Sequence, residues 1–461
     1  MPAAKGVGDY QPREGRFAID SEIVSEVSRA VAAREQDLLK LVRDLIACRT
    51  DSQSADNPAF PGEAQRCQDL VAGHLTRLGA DVQRWDEPPF YPVVAGVLPG
   101  IGAGASLAIN GHVDVVPVGD TGAWARDPWA GGIADGRVWG RGAADMKGGV
   151  ACALIAIQAL KDAGVQLAGD LWMHVVADEE VVGRSTRSLL RRLPTVDAVI
   201  VAEPTDLAIM PVEGGLVHFR IEVEGRESHA GNRYMSVRAG GQAERGGVNA
   251  IEKMVKIVTA LQELERQWGS LRHHPMLPAG FNTIMPGIIA GGPGGGADGR
   301  LHVISNPGTE PNYCSIEYNL WYLPGESFDA IRDEIERFVG DVCRADPWLR
   351  QHPPRFTWKL RDIFFPPAET APDHPLIEGI AAALATIGQP PRIEAFTAAS
   401  ELAWYAEAGI PGAIFGPGRI AQAHSPDEFA DVDQLLLACT VLAFTAAAWC
   451  GIASSSPLPD A

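Results

Sequence analysis

The 461-residue chain is poor in cationic side chains: 39 Lys and Arg stand against 58 Asp and Glu, for a formal net charge of −19. Nucleic acids and anionic bilayers are gripped through a basic face, so neither is an expected partner. Cysteine supplies no framework either. Its seven copies (Cys48, Cys67, Cys152, Cys314, Cys343, Cys439 and Cys450) are scattered, odd in number and form no Cys-x-x-Cys pair. This excludes a disulfide scaffold and a thiolate zinc site, and it fits thiols kept reduced in the cytoplasm. The opening stretch MPAAKGVGDYQPREGRF has no apolar core of the secretory kind. The one long apolar run, LLLACTVLAFTAAAWCGIA from Leu435 to Ala453, is rich in Ala and Thr and has no flanking Lys or Arg. Without such anchors it is expected as a buried terminal helix and not a membrane span. The glycine-rich GGPGGGADG, Gly291 to Gly299, lacks the Gly-Lys-Ser/Thr ending of a phosphate cradle and is expected as a loop.

What is present is an ordinary globular composition, 46% hydrophobic and 21% charged, at a length that favours two domains. Apolar residues recur at helical spacing from about Ser21 to Ala80. Then SLAINGHVDVV, LWMHVVA and AVIVA read as buried strands, with GGVACALIAIQALKDAG as a helix between the first two. Strand and helix in alternation predict an α/β domain whose mostly parallel sheet is sandwiched by helices. Past Pro211 the pattern changes. GGLVHFRIEVEG and YCSIEYNLWYLP alternate as half-exposed antiparallel strands do, each followed by a long amphipathic helix. The α/β pattern returns near Ala371. The expected organisation is therefore a discontinuous catalytic domain, residues 1–213 and 367–461, carrying an inserted α+β domain at residues 214–366.

The chemistry-bearing residues follow the predicted strands. His112 and Asp114 end the first, Asp145 precedes a helix, Glu179 and Glu180 follow LWMHVVAD, Glu203 follows AVIVA, and His424 follows PGAIFG. In open α/β sheets the ligand crevice lies beyond the carboxyl ends of the strands. Taken singly, each residue has an ordinary use: a buried ion pair, a charged turn, a helix cap, a loop histidine. Five segments delivering such residues to one crevice point instead to divalent metal ions. Imidazole and carboxylate suit Zn²⁺, with Co²⁺ or Mn²⁺ as alternatives. A ligating imidazole needs its other nitrogen held by an acceptor, and strand periodicity lets Asp114 serve His112 in that way. Of the adjacent Glu179 and Glu180, one can bind metal while the other faces the attacking water as general base.

The segments GHVDVVP, GRGAADMKGG, ADEEVVG, AEPT, SHAG…GVNAI and AHSPDEF, in this order, resemble the M20 family of metallo-aminoacylases and exopeptidases. The resemblance runs from about residue 35 to residue 450. It implies two metal ions, with His112 and Glu203 on one, Glu180 and His424 on the other, and Asp145 bridging. It further implies Glu179 as catalytic base, Asp114 as the supporting acid, and an inserted lid domain that forms a homodimer. In that lid it implies His229 as a stabiliser of the substrate carbonyl oxygen and Asn249 as a substrate contact.

One departure concerns substrate. Where many relatives have Asp-x-Arg before Pro-Gly-Glu, this chain reads Asn319-Leu320-Trp321. An indole cannot make the two-pronged carboxylate contact of a guanidinium, and Arg233, Arg238 and Arg245 are the candidates to supply it. The expected activity is removal of an acyl group from a small N-acyl amino acid or related amine. An exopeptidase using the same machinery is the alternative, and a non-catalytic binding protein of this fold is disfavoured by the full set of ligands and base.

Overall fold

The computed structural model describes residue 17 and residues 19–54, 57–58, 62–88, 90–237, 246–294 and 307–453. The chain forms two compact units, Met1–Glu213 with Ala368–Ala461, and Gly214–Pro367. The candidates Arg238 and Arg245, and most of the Gly291–Gly299 run, lie outside the described residues.

The first unit is built on a nine-stranded sheet. Its centre is made of Leu171–Val176, Leu107–His112, Ala198–Val201 and Gly412–Ile414, all parallel and all buried. Runs such as LWMHVV and AVIV are apolar with little alternation, so they are stable only where helices cover both faces of the sheet. Towards one edge, Tyr91–Leu98 and Asp81–Glu87 turn antiparallel. The expected parallel arrangement therefore holds at the centre, which is where the site is.

The helix Lys147–Asp162 is buried along nearly its whole length. It packs on Leu107–His112 and on the helices Ser21–Ala33, Glu35–Ile46 and Val432–Cys450. Gly149 allows this closeness: a Cβ there would lie 2.0 Å from the Ala202 carbonyl oxygen. The helix start, just after Asp145, is thereby pressed against the strand end that carries Glu203. Val432–Cys450 is long and apolar enough to cross a bilayer, yet most of it is buried in this unit, against Lys147–Asp162 and Pro375–Thr386. It is the terminal core helix that its Ala- and Thr-rich composition suggests.

The second unit has an antiparallel five-stranded sheet, in the order Thr283–Gly292, Tyr313–Tyr322, Gly215–Glu224 and Arg355–Trp358, with Phe364–Phe365 also paired to Gly215–Glu224. Val217, Phe219, Ile221 and Val223 point to one face, where they pack with Met254, Ile257 and Leu261 of the helix Ala250–Leu271 and Ile331 and Ile335 of the helix Phe328–Ala345. Burial of each such side chain contributes about 1.5–3 kcal/mol.

Candidate metal centre

His112, Glu179, Glu180 and Glu203 lie at or just past the carboxyl ends of central parallel strands, Asp145 in the loop leading into Lys147–Asp162, and His424 further along the loop that follows Gly412–Ile414. His112 is the last residue of Leu107–His112 and is fully buried, and Asp145 and Glu203 are 7% and 3% exposed. The peptide bond between Asp145 and Met146 is cis.

The geometry divides into two groups that share Asp145. His112 Nε2 lies 3.2 Å from Asp145 Oδ1 and 3.4 Å from Glu203 Oε1. His424 Nε2 lies 3.4 Å from Asp145 Oδ2 and 3.1 Å from Glu180 Oε2. Within each group the potential ligand atoms all fall within 4.8 Å of one another. Glu179 belongs to neither group, although its Oε2 is 3.8 Å from His112 Nε2.

Asp114 lies beyond the strand end, so strand alternation does not decide where it points. Its backbone carbonyl oxygen sits 2.9 Å from His112 Nδ1, whereas its carboxylate is 3.6 Å away. A carbonyl only accepts, so Nδ1 carries the proton and Nε2 is left as the ligand atom. The carboxylate instead accepts from the backbone N–H groups of Glu179 and Glu180, at 3.3 and 3.0 Å. One short segment thus orients the imidazole and holds the loop that carries both glutamates.

The electrostatics follow from crowding acids out of water. Burial drives the proton affinity of Glu179 far up, with Glu203 and Glu180 adding to it and His112 opposing. Burial pushes Glu203 up to about 7. Burial also acts against ionisation of Asp145, but the facing imidazoles of His112 and His424 prevail and hold it below the usual carboxylate range. Hydrogen bonds to Asp145 and Glu180 push His424 up to about 10. The Nε2 atom of His112 is buried without a hydrogen-bond partner, and it points among carboxylates that have no lysine or arginine ion-paired to them among the described residues. Two imidazoles and three carboxylates placed in this way fit a pair of divalent cations.

Three further buried groups were not singled out from the sequence. Asp178 is fully buried and accepts from the N–H groups of Arg184 at 2.7 Å and Ser185 at 3.0 Å, closing the turn after Glu180. Gly183 in this turn has φ +61°, and a Cβ there would lie 2.3 Å from Trp404 Nε1. Glu428 and Arg141 form a buried ion pair of 2.6 Å. The sequence signals were weak: Asp178 adjoins the two glutamates, and Glu428 follows His424 by four residues.

The lid candidates lie in the second unit. His229 is exposed, and its Nδ1 accepts from the Gly231 N–H at 3.0 Å. Asn249 caps the helix Ala250–Leu271 by accepting from the Glu252 N–H at 3.2 Å. The Arg233 guanidinium is ion-paired to Glu252 and, at 3.2 Å, to Glu310. Trp321 meets the Phe281 ring edge-on, with centroids 5.6 Å apart.

Comparison with known proteins agrees with this geometry. Residues 108–448 match the profile of "Peptidase family M20/M25/M40". The chain is 33% identical over 442 residues to the N-formyl-4-amino-5-aminomethyl-2-methylpyrimidine deformylase of Bacillus subtilis, covering 94% of this chain and 99% of that one. It is 29% identical over 416 residues to the acetylornithine deacetylase of Edwardsiella ictaluri, covering 88% and 95%. Among solved structures, a dipeptidase of Saccharomyces cerevisiae superposes with a TM-score of 0.69 at 13% identity, covering 95% and 100%. A dinuclear metal-binding peptidase of the M20 family from Bacillus subtilis superposes with a TM-score of 0.59 at 16% identity, covering 90% and 98%. Sequence match, fold and two ligand groups joined at one aspartate lead to the same place: this chain belongs to peptidase family M20/M25/M40 and is an amidohydrolase.

Proposed function

We propose that the protein is a two-zinc deformylase, releasing formate from a small N-formyl amine whose amine portion is an uncharged heteroaromatic. The observation that carries the hydrolytic reading is the pair of ligand groups sharing Asp145, with Glu179 beside them but in neither. His112 and Glu203 would hold one ion and Glu180 and His424 the other, with Asp145 between. Two divalent ions bound there would polarise the acyl carbonyl and acidify water; Co²⁺ and Mn²⁺ suit the same donors.

The chain's own groups do the rest. Glu179 takes a proton from the attacking water and delivers it to the amine nitrogen as the C–N bond breaks, giving a carboxylate and a free amine. Asp114 keeps Glu179 and Glu180 in register through their backbone N–H groups. With Nδ1 accepting from Gly231, the His229 proton sits on Nε2, where it can donate to the substrate carbonyl oxygen.

The nature of the amine portion follows from what the chain lacks. Trp321 replaces the guanidinium that clamps a carboxylate, and Arg233 is already ion-paired to Glu252 and Glu310. A substrate without a carboxylate suits this, and the name of the Bacillus subtilis relative describes such an amine. We further propose a cytoplasmic homodimer. Its contact would be the edge strand Thr283–Gly292, where Met285, Ile288 and Ile289 are 53%, 57% and 63% exposed. All seven cysteines are free and buried, which suits a reducing compartment.

The test is hydrolysis of N-formyl-4-amino-5-aminomethyl-2-methylpyrimidine, N-acetylornithine, N-formyl amino acids and dipeptides by zinc-loaded enzyme, before and after chelation. The formyl pyrimidine should be turned over at least tenfold more efficiently than the others, and chelation should abolish this. A preference for N-acetylornithine or for dipeptides would replace the deformylase reading by a deacetylase or exopeptidase.

A further inference from the structure

Glu428 sits at the far end of the loop that carries His424, and it is 1% exposed. Its Oε1 accepts three backbone N–H bonds from a different loop: Gly142 at 3.0 Å, Ala144 at 2.9 Å and Asp145 at 3.0 Å. Its Oε2 pairs with Arg141 Nη1 at 2.6 Å, and the same Arg141 atom lies 3.3 Å from the Ser425 carbonyl oxygen. The Glu428 carbonyl in turn accepts from the Gly140 N–H at 2.8 Å. The segment Gly140–Asp145 is thus bound to the segment His424–Glu428 chiefly through one buried carboxylate, which takes four of these bonds.

We propose that Glu428 is a positioning residue for the metal centre: by gathering the backbone N–H groups around Asp145 it fixes the shared carboxylate with one oxygen towards each ligand group. The inference rests on the two-ion reading of His112, Asp145, Glu180, Glu203 and His424. Three N–H dipoles converging on one oxygen leave little rotational play in the Asp145 backbone. Asp145 must offer Oδ1 to the His112 side and Oδ2 to the His424 side at once. A small backbone rotation would turn both oxygens away from these positions at once. The clamp therefore predicts that losing Glu428 weakens binding of both ions together, and removes the bridge before it removes the individual ligands. Groups that orient ligands from behind are worth about 10- to 100-fold in metal affinity.

Removing Glu428 alone would strand the Arg141 charge in the interior, which is strongly destabilising. The informative pair is therefore Arg141→Met with Glu428→Gln, and Arg141→Met with Glu428→Leu. Both lack the ion pair, and only the glutamine keeps an oxygen facing the three N–H groups. Full-length apo protein is titrated with Zn²⁺ by calorimetry and with Co²⁺ by electron paramagnetic resonance, which reads magnetic coupling across a bridge. Wild type should take up two coupled ions. The glutamine double variant should stay within about threefold of it. The leucine double variant should lose about 10- to 100-fold in affinity, together with the coupling signal.

If the leucine protein does not fold, Glu428→Asp carries the test. It keeps the charge but withdraws the oxygen by one methylene, and the same loss is expected. Wild-type affinity and coupling in the leucine or aspartate variant would overturn the clamp. So would an equal loss in both double variants, because the ion pair and not the N–H cradle would then be responsible. Wild type that takes up no second ion would sink the two-ion centre itself, and the clamp with it.

Discussion

Asp346 in the second unit and Asp145 in the first are both buried aspartates, 3% and 7% exposed. Their neighbours differ in kind. Asp346 accepts from Lys253 at 2.8 Å, Lys256 at 2.6 Å and the Trp348 and Leu349 N–H groups. Glu222, also in the second unit, is met by Arg355 at 2.9 Å and Tyr313 at 2.6 Å. Asp145 shares its space with Glu180, Glu203 and two imidazoles. A buried acid answered by a lysine or arginine is complete within the polypeptide, and its work is structural. A cluster of buried acids that answer only one another and histidine is incomplete, and it implies a cation from outside.

The largest effect expected from this contrast is on turnover. Glu179→Gln keeps the shape of the side chain and lies in neither ligand group, so both ions should still bind. Loss of the base should lower kcat by about 10²–10⁴-fold. Metal content by plasma mass spectrometry and kcat on one preparation check both halves. A variant that loses ions as well as activity would move Glu179 from base to ligand. Undiminished turnover would remove it from the mechanism.

Asp346→Asn should do the reverse, with kcat unchanged and stability reduced. Hydrogen bonds to charged groups contribute about 1.5–3 kcal/mol each, and a loss of that size should appear in urea titrations. Burial works against ionisation of Asp346, but the bonds from Lys253 and Lys256 prevail and hold its carboxyl below the usual carboxylate range. A carboxyl depressed in the folded state contributes stability that is fully present above its unfolded value, near pH 4, and is lost as pH falls through the folded one. The wild type should therefore lose part of its stability on acidification below about pH 4, and Asp346→Asn should flatten that decline. Parallel decline in both proteins would show that Asp346 is not the group responsible.

The contrast also explains what was legible in the sequence. The parallel core strands are continuous apolar runs, so their ends, and the polar residues at those ends, stand out. His112, Glu203 and the Glu179-Glu180 pair were visible for that reason, and the resemblance to a metallohydrolase family distributed them between two ions. The clamp by Glu428 was hidden, because it joins residues 283 to 286 positions apart along the chain, and local pattern carries no trace of it. The acceptor for His112 was legible as a residue but not as an atom. Asp114 falls just outside the strand, where alternation no longer dictates direction, and its carbonyl takes the place that its carboxylate was expected to fill. In the second unit, Asn249 and Arg233 are polar groups near a helix start, and sequence alone does not separate a cap or an ion pair from a substrate contact.

Asn249 offers the smallest effect and the sharpest way to test that separation. Its side chain accepts from the Glu252 N–H in the first turn of Ala250–Leu271, the bond by which asparagine commonly starts a helix. If capping is its whole task, Asn249→Ala should cost about 0.5–2 kcal/mol and leave KM within twofold of wild type. Asn249→Asp should restore the stability, because aspartate caps equally well and its charge suits a helix N-terminus. If the residue touches substrate, the pattern inverts: KM rises in both variants, and the aspartate, having lost the amide N–H donors, does not rescue it. The first result would place Asn249 with Asp346 among the second unit's internally satisfied groups. The second would show that this unit, too, holds a polar side chain for something outside the polypeptide.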